Sequence, residues 1–144
     1  MRSLNQHPPF RADQVGSLVR PASVVAARKE FDAGKIDAAK LREAEDAGIR
    51  ATVAKQEELG LPVVTDGEFR RGTYSDSFTT GGIDGIRVEL TEEQGWKKSD
   101  THGHRTARRI PRVVSRIQWR ANANAQDFAM LKSATKATAK ITLP

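Results

Sequence analysis

The chain is expected to fold as an α/β domain built on a parallel sheet, and three features of its sequence carry that expectation. Leu61 to Thr65 is a short apolar run rich in β-branched residues, the pattern of a strand buried on both faces. A long helical segment, about 37–59, precedes it. An earlier strand, FRADQVGS at 10–17, lies ahead of the helical region. Strand, helix, strand is a βαβ unit, whose crossover is right-handed in nearly all known cases.

Each element has a local justification. Pro21 suits the first turn of a helix. Val24, Ala27 and Phe31 then follow at helical spacing, and Gly34 is placed to end the helix. Asp37 is a good N-cap for the second helix, which runs to about Leu59. Leu41, Ala44, Gly48 and Ala51 line one face of it, widened by Ile49 and Val53, and small residues there allow close packing on a sheet. Gly60 and Pro62 close the helix. Residues 72–120 read as an irregular excursion, with a hairpin around Gly81-Gly82 and Gly85 and a strand at 112–119. A third helix spans 123–134 with Ala125, Phe128 and Leu131 inward, and a strand follows at 137–143. The whole of 1–144 reads as one domain.

Composition narrows the function classes. The chain has 144 residues, 38% hydrophobic and 29% charged, which suits a folded domain rather than a disordered one. It has no apolar run near 18 residues and no secretory pattern at its start, so the cytoplasm is the default expectation and no membrane partner is expected. The absence of cysteine excludes disulfides, thiol nucleophiles and cysteine-ligated metal within the chain. Charge is uneven: residues 97–144 hold 11 Lys/Arg against 2 Asp/Glu, and residues 1–96 hold 13 against 16. Arg105, Arg108, Arg109, Arg112, Arg116 and Arg120 surround Trp119, so a small basic nucleic-acid-binding module over 97–120 is the alternative function. Pro111 argues against a continuous helix there. His102 and His104 would share a strand face, but no third metal ligand lies near them in sequence.

The chemistry concentrates at the strand tips. Ligand sites of parallel α/β folds form at the C-terminal edge of the sheet. Val15, Gly16 and Ser17 close the first strand, and Asp66 and Glu68 close the second. On adjacent strands these groups share one rim. A hydroxyl and a backbone N–H hold a carboxylate, and Asp66 or Glu68 holds an ammonium group, so the ligand expected is a zwitterion such as an amino acid. The plain alternatives are that Gly16-Ser17 and Asp66-Gly67 are only turns, and that Arg70 and Arg71 are surface charges or steer an anionic substrate.

DQVGSLVRP (13–21) and VVTDGEFRRG (63–72), about 50 residues apart, resemble the start of the catalytic barrel of cobalamin-independent methionine synthase and its short single-barrel relatives. KITLP (140–144) is similar to that family's third strand. The resemblance implies a (β/α)8 barrel of which about the first three strands are present. It implies methyl transfer from 5-methyltetrahydrofolate to homocysteine or another thiol, with zinc activating the thiol. Ser17 would contact the homocysteine carboxylate, Val15 and Gly16 would form the adjoining wall, and Glu68 would hold the amino group. The family's zinc ligands, a His, two Cys and a Glu, lie on later strands and match nothing here. A full barrel takes about 250 residues. The expectation is therefore an N-terminal fragment, inactive alone, with a complementing C-terminal chain as its partner.

Overall fold

The computed structural model describes residues 14–73, 75–79, 81–91 and 108–143. It divides into two compact units, one formed by 1–74 with 124–144 and the other by 75–123. His102, His104 and Arg105, and residues 10–13 of the first expected strand, lie outside the described residues.

In the first unit, helix α1 (Ala22–Asp32) starts directly after Pro21, as its sequence predicts. Helix α2 (Ala38–Glu58) is capped by Asp37, whose side chain accepts the Lys40 amide at 2.9 Å. Replacing Asp37 by Ala is expected to cost about 1 kcal/mol in urea unfolding, the usual worth of an N-cap. Strand β1 (Val63–Thr65) is buried throughout. Helix α4 (Ala123–Ala134) leads into strand β4 (Thr138–Lys140), which pairs parallel with β1, Val64 opposite Ala139. The 14–18 segment forms no extended strand. It makes one parallel bridge, Ser17 to Gly67, reinforced by the Leu18 amide donating to the Gly67 carbonyl at 3.1 Å. Three parallel segments thus end together, within a mixed α/β unit.

Val24, Ile49, Val53, Val64, Phe69 and Leu131 form the core, fully withdrawn from solvent. Gly48 is needed at the crossing of α1 and α2, since a Cβ there would lie 2.6 Å from a Val24 methyl. The buried face of α2 keeps Gly48, Ile49 and Val53 of the expected stripe and adds two polar residues. It runs through Glu45, Gly48, Ile49, Val53 and Gln56, whereas Ala51 is exposed. Two polar residues are inside because each meets long-range partners. Gln56 accepts the Thr65 amide at 3.0 Å and donates to the Thr65 carbonyl at 2.9 Å, replacing a missing strand neighbour. On α4, Leu131 is inward as expected, but Ala125 is exposed and Asp127 is buried. Phe31 on α1 is likewise exposed.

The second unit carries a short helix, α3 (Asp76–Thr79), and an antiparallel ribbon of β2 (Ile83–Thr91) and β3 (Arg108–Trp119). The expected hairpin turn at Gly81-Gly82 and Gly85 is not there. Gly82 precedes β2, and Gly85 sits inside it at a register irregularity, with φ of 89° and a Cβ position 2.6 Å from the Arg116 carbonyl oxygen. These glycines start and kink a strand. The expected strand at 112–119 is longer, beginning at Arg108. Among the described residues no helix is long and apolar enough to cross a membrane.

Candidate functional site

The tip of β1 is held by its own sequence. Gly67 has φ of 68° and Glu68 φ of 58°, a left-handed pair that turns the chain sharply after the strand. Glu68 is the one described non-glycine residue in that region. Three contacts hold it there. Its amide donates to Asp66 Oδ1 at 3.0 Å, and its carbonyl accepts from Arg20 Nη2 at 3.1 Å. Its carboxylate Oε1 accepts the Thr142 hydroxyl at 2.7 Å. Arg20 also donates to the Arg71 carbonyl, clamping the turn at both ends. Strain of this kind persists where the surroundings over-determine it.

Gly16 belongs to the same tip. A Cβ on it would overlap the Thr142 hydroxyl and lie 3.2 Å from Glu68 Oε1. The Thr65 hydroxyl donates to the Gly16 carbonyl at 2.8 Å, tying the two segments together. Ser17 is exposed beside Gly67, and Val15 is 79% exposed. The structure therefore gathers Gly16, Ser17 and Glu68 at one rim, with Thr142 from the segment after β4. Asp66 lies beneath, 2% exposed, with its carboxylate spent on the turn.

Burial pushes the Asp66 carboxyl above its ordinary value, and the Glu68 amide and the nearby arginines only partly counter this. A raised folded-state value means that Asp66 stabilises most below the ordinary carboxylate range, and that this contribution is lost as pH rises through the folded value. Asp66→Asn keeps the Oδ1 acceptor and removes the charge. The variant is expected to be at least as stable as the parent at pH 7, with the difference shrinking toward pH 3 in urea titrations. A variant destabilised at pH 7 but not at pH 3 would show that the carboxylate is needed as an anion.

Arg70 and Arg71 are not surface charges. The Arg70 side chain is 6% exposed and the Arg71 side chain 4%. Arg71 Nη2 donates to the Thr142 carbonyl at 2.5 Å and to Asn124 Oδ1 at 3.2 Å, and Nη1 lies 3.8 Å from Glu68 Oε1. Arg70 serves the carboxylates of α2 and α4. Thr142, Arg71 and Arg20 were not expected at the site. Thr142 had a signal: it stands at the tip of the third strand, where the rule applied to the first two strands applies again.

Among the described residues no group of three or more His, Cys, Asp or Glu side chains converges as a metal site would require. The acids nearest the tip are engaged by arginines or backbone amides, and the chain has no cysteine, so these residues do not suit zinc.

Parallel segments here end at a rim with a carboxylate, a hydroxyl and a close-approach glycine, the edge at which α/β domains carry their ligand sites. The family model described as cobalamin-independent synthase, catalytic domain, matches residues 10–142, and the chain belongs to that family. It is 42% identical over 138 residues to the uncharacterized protein YxjG of Bacillus subtilis and 38% identical over 137 residues to the uncharacterized protein YxjH of the same organism. Those matches cover 95% and 94% of this chain and 35% of each relative. A crystal structure of a Listeria monocytogenes protein, described as a candidate vitamin-B12-independent methionine synthase, superposes with a TM-score of 0.71 at 34% identity. That match covers 97% of this chain and 37% of the other. The chain thus spans about a third of the length of these relatives. Family membership lends no support to the nucleic-acid alternative. Within the described part of that stretch, Arg112 pairs with Glu89 at 2.7 Å and Arg120 with Asp84 at 3.1 Å.

Proposed function

We propose that this chain forms the amino-acid-binding edge of a zinc-dependent methyltransferase barrel that moves a methyl group from a methyl-folate to homocysteine. The observation that carries the reading is the meeting of Gly16, Glu68 and Thr142 at the ends of three parallel segments, in a chain of the cobalamin-independent synthase family. In this reading the three segments are the first strands of a (β/α)8 barrel. Glu68 takes the ligand ammonium, Ser17 with its neighbouring backbone takes the carboxylate, and Val15 and Gly16 form the wall. Asp66 acts from below by holding Glu68 in its turn. The zinc that would make the thiol a better nucleophile belongs to residues of the complementary strands, whether in the same polypeptide or a second chain. This chain alone is expected to bind the amino acid without turnover.

The test is a titration of isotope-labelled protein with homocysteine, followed at the amides of Gly16, Ser17, Gly67 and Glu68. Those four resonances are expected to move together. Glu68→Gln is expected to weaken binding roughly 10- to 100-fold, the worth of a charge-assisted hydrogen bond. 4-Mercaptobutyrate, which lacks the amino group, should leave the same amides unmoved. Equal binding of both compounds would refute the reading.

A further inference from the structure

We infer that Thr142 is a positioning residue that presents Glu68 to an amino group, an inference that rests on the amino-acid reading above. Its hydroxyl donates to Glu68 Oε1 at 2.7 Å across 74 residues of sequence. Its carbonyl accepts from Arg71 Nη2 at 2.5 Å, which fixes the backbone past β4 from a buried guanidinium. Gly16 makes the arrangement sterically allowed, since any side chain there would occupy the space of the Thr142 hydroxyl.

The consequence is a division of labour between the two carboxylate oxygens. Oε1 is occupied by Thr142 and lies 3.8 Å from Arg71 Nη1. Oε2 accepts no hydrogen bond among the described residues. Glu68 therefore leaves Oε2 open to a ligand while Oε1 is shared with Thr142, so a bidentate guanidinium would compete with the threonine hydroxyl for its second acceptor. The geometry suits one of the three N–H donors of a primary ammonium.

Two variants separate this role from a structural one. Thr142→Val keeps the shape and deletes the hydroxyl, and Thr142→Ser keeps the hydroxyl. In ligand-free protein the Glu68 Cδ carbon resonance is expected to shift in the valine variant and to return in the serine variant. In the homocysteine titration, Thr142→Val is expected to weaken binding about tenfold, with recovery in Thr142→Ser and little change in either unfolding midpoint. An unmoved Glu68 Cδ resonance in Thr142→Val overturns the role of Thr142, whatever the ligand does. A valine variant with a shifted resonance and undiminished homocysteine affinity overturns it too. A parent protein that binds neither homocysteine nor methionine overturns the amino-acid reading, and the positioning role with it, even where the resonance moves.

Discussion

Replacing Arg70 by methionine should remove about 3–5 kcal/mol of stability, the cost of leaving buried charges without their partner. The side chain is 6% exposed and lies among three carboxylates. Nη1 donates to Asp127 Oδ1 at 2.5 Å, Nη2 to Asp46 Oδ1, and Nε lies 3.9 Å from Glu45 Oε2. Burial opposes the arginine's charge, yet Asp127 and Asp46 more than offset it and raise its pKa further. Without the guanidinium, Glu45 and Asp46 on α2 face Asp127 on α4 with only Arg28 and Arg42 in support. Glu45 is already pushed up by burial, against the pull of Arg28 and Arg70. The variant should therefore regain stability as pH falls and its carboxylates protonate. Urea unfolding followed by circular dichroism at pH 7 and pH 5 measures both effects. A loss under about 1 kcal/mol at pH 7 would mean that the network is a surface feature. Arg70→Lys, which keeps the charge but not the fork, should fall between the two.

Gly67→Ala should cost about 2–4 kcal/mol, from a left-handed backbone and from overpacking together. The φ of Gly67 is 68°, and a Cβ there would lie 2.5 Å from Cε1 and 2.9 Å from Cζ of Phe69. Phe69 is fully buried in the core and has no room to withdraw. The same residue pairs with Ser17, so the substitution should also loosen the rim and weaken homocysteine binding. Gly34 is the control. Its φ of 70° is similar, but nothing lies within 4 Å of its Cβ position. Gly34→Ala should cost only about 1 kcal/mol, the backbone part alone. Equal costs at the two positions would remove the packing argument.

Much of the first unit was readable because its signals are local. Pro21, Asp37 and Gly60 punctuate helices through contacts within one turn, and Val63 to Thr65 declare a buried strand by composition. The second unit was less legible. The partner of β3 is β2, a strand whose alternation is interrupted by Gly85. The candidate rim was legible in part: Gly16, Ser17 and Glu68 were expected together, and the bridge of Ser17 to Gly67 brings them to the tip of β1.

Helices α1, α2 and α4, the Asp37 cap, and the turn at Asp66-Gly67 follow from the sequence by itself, because each depends on residues a few positions apart. That Glu45 and Gln56 join the inward face of α2 was decided only by the tertiary structure. So was the burial of Arg70, Arg71, Glu45 and Asp127, and the meeting of Thr142 with Glu68. Hydrogen-bond partners for these groups lie 17 to 74 residues away. A charge becomes an interior residue only once its counter-charge is folded beside it, and no periodicity along the chain encodes that pairing.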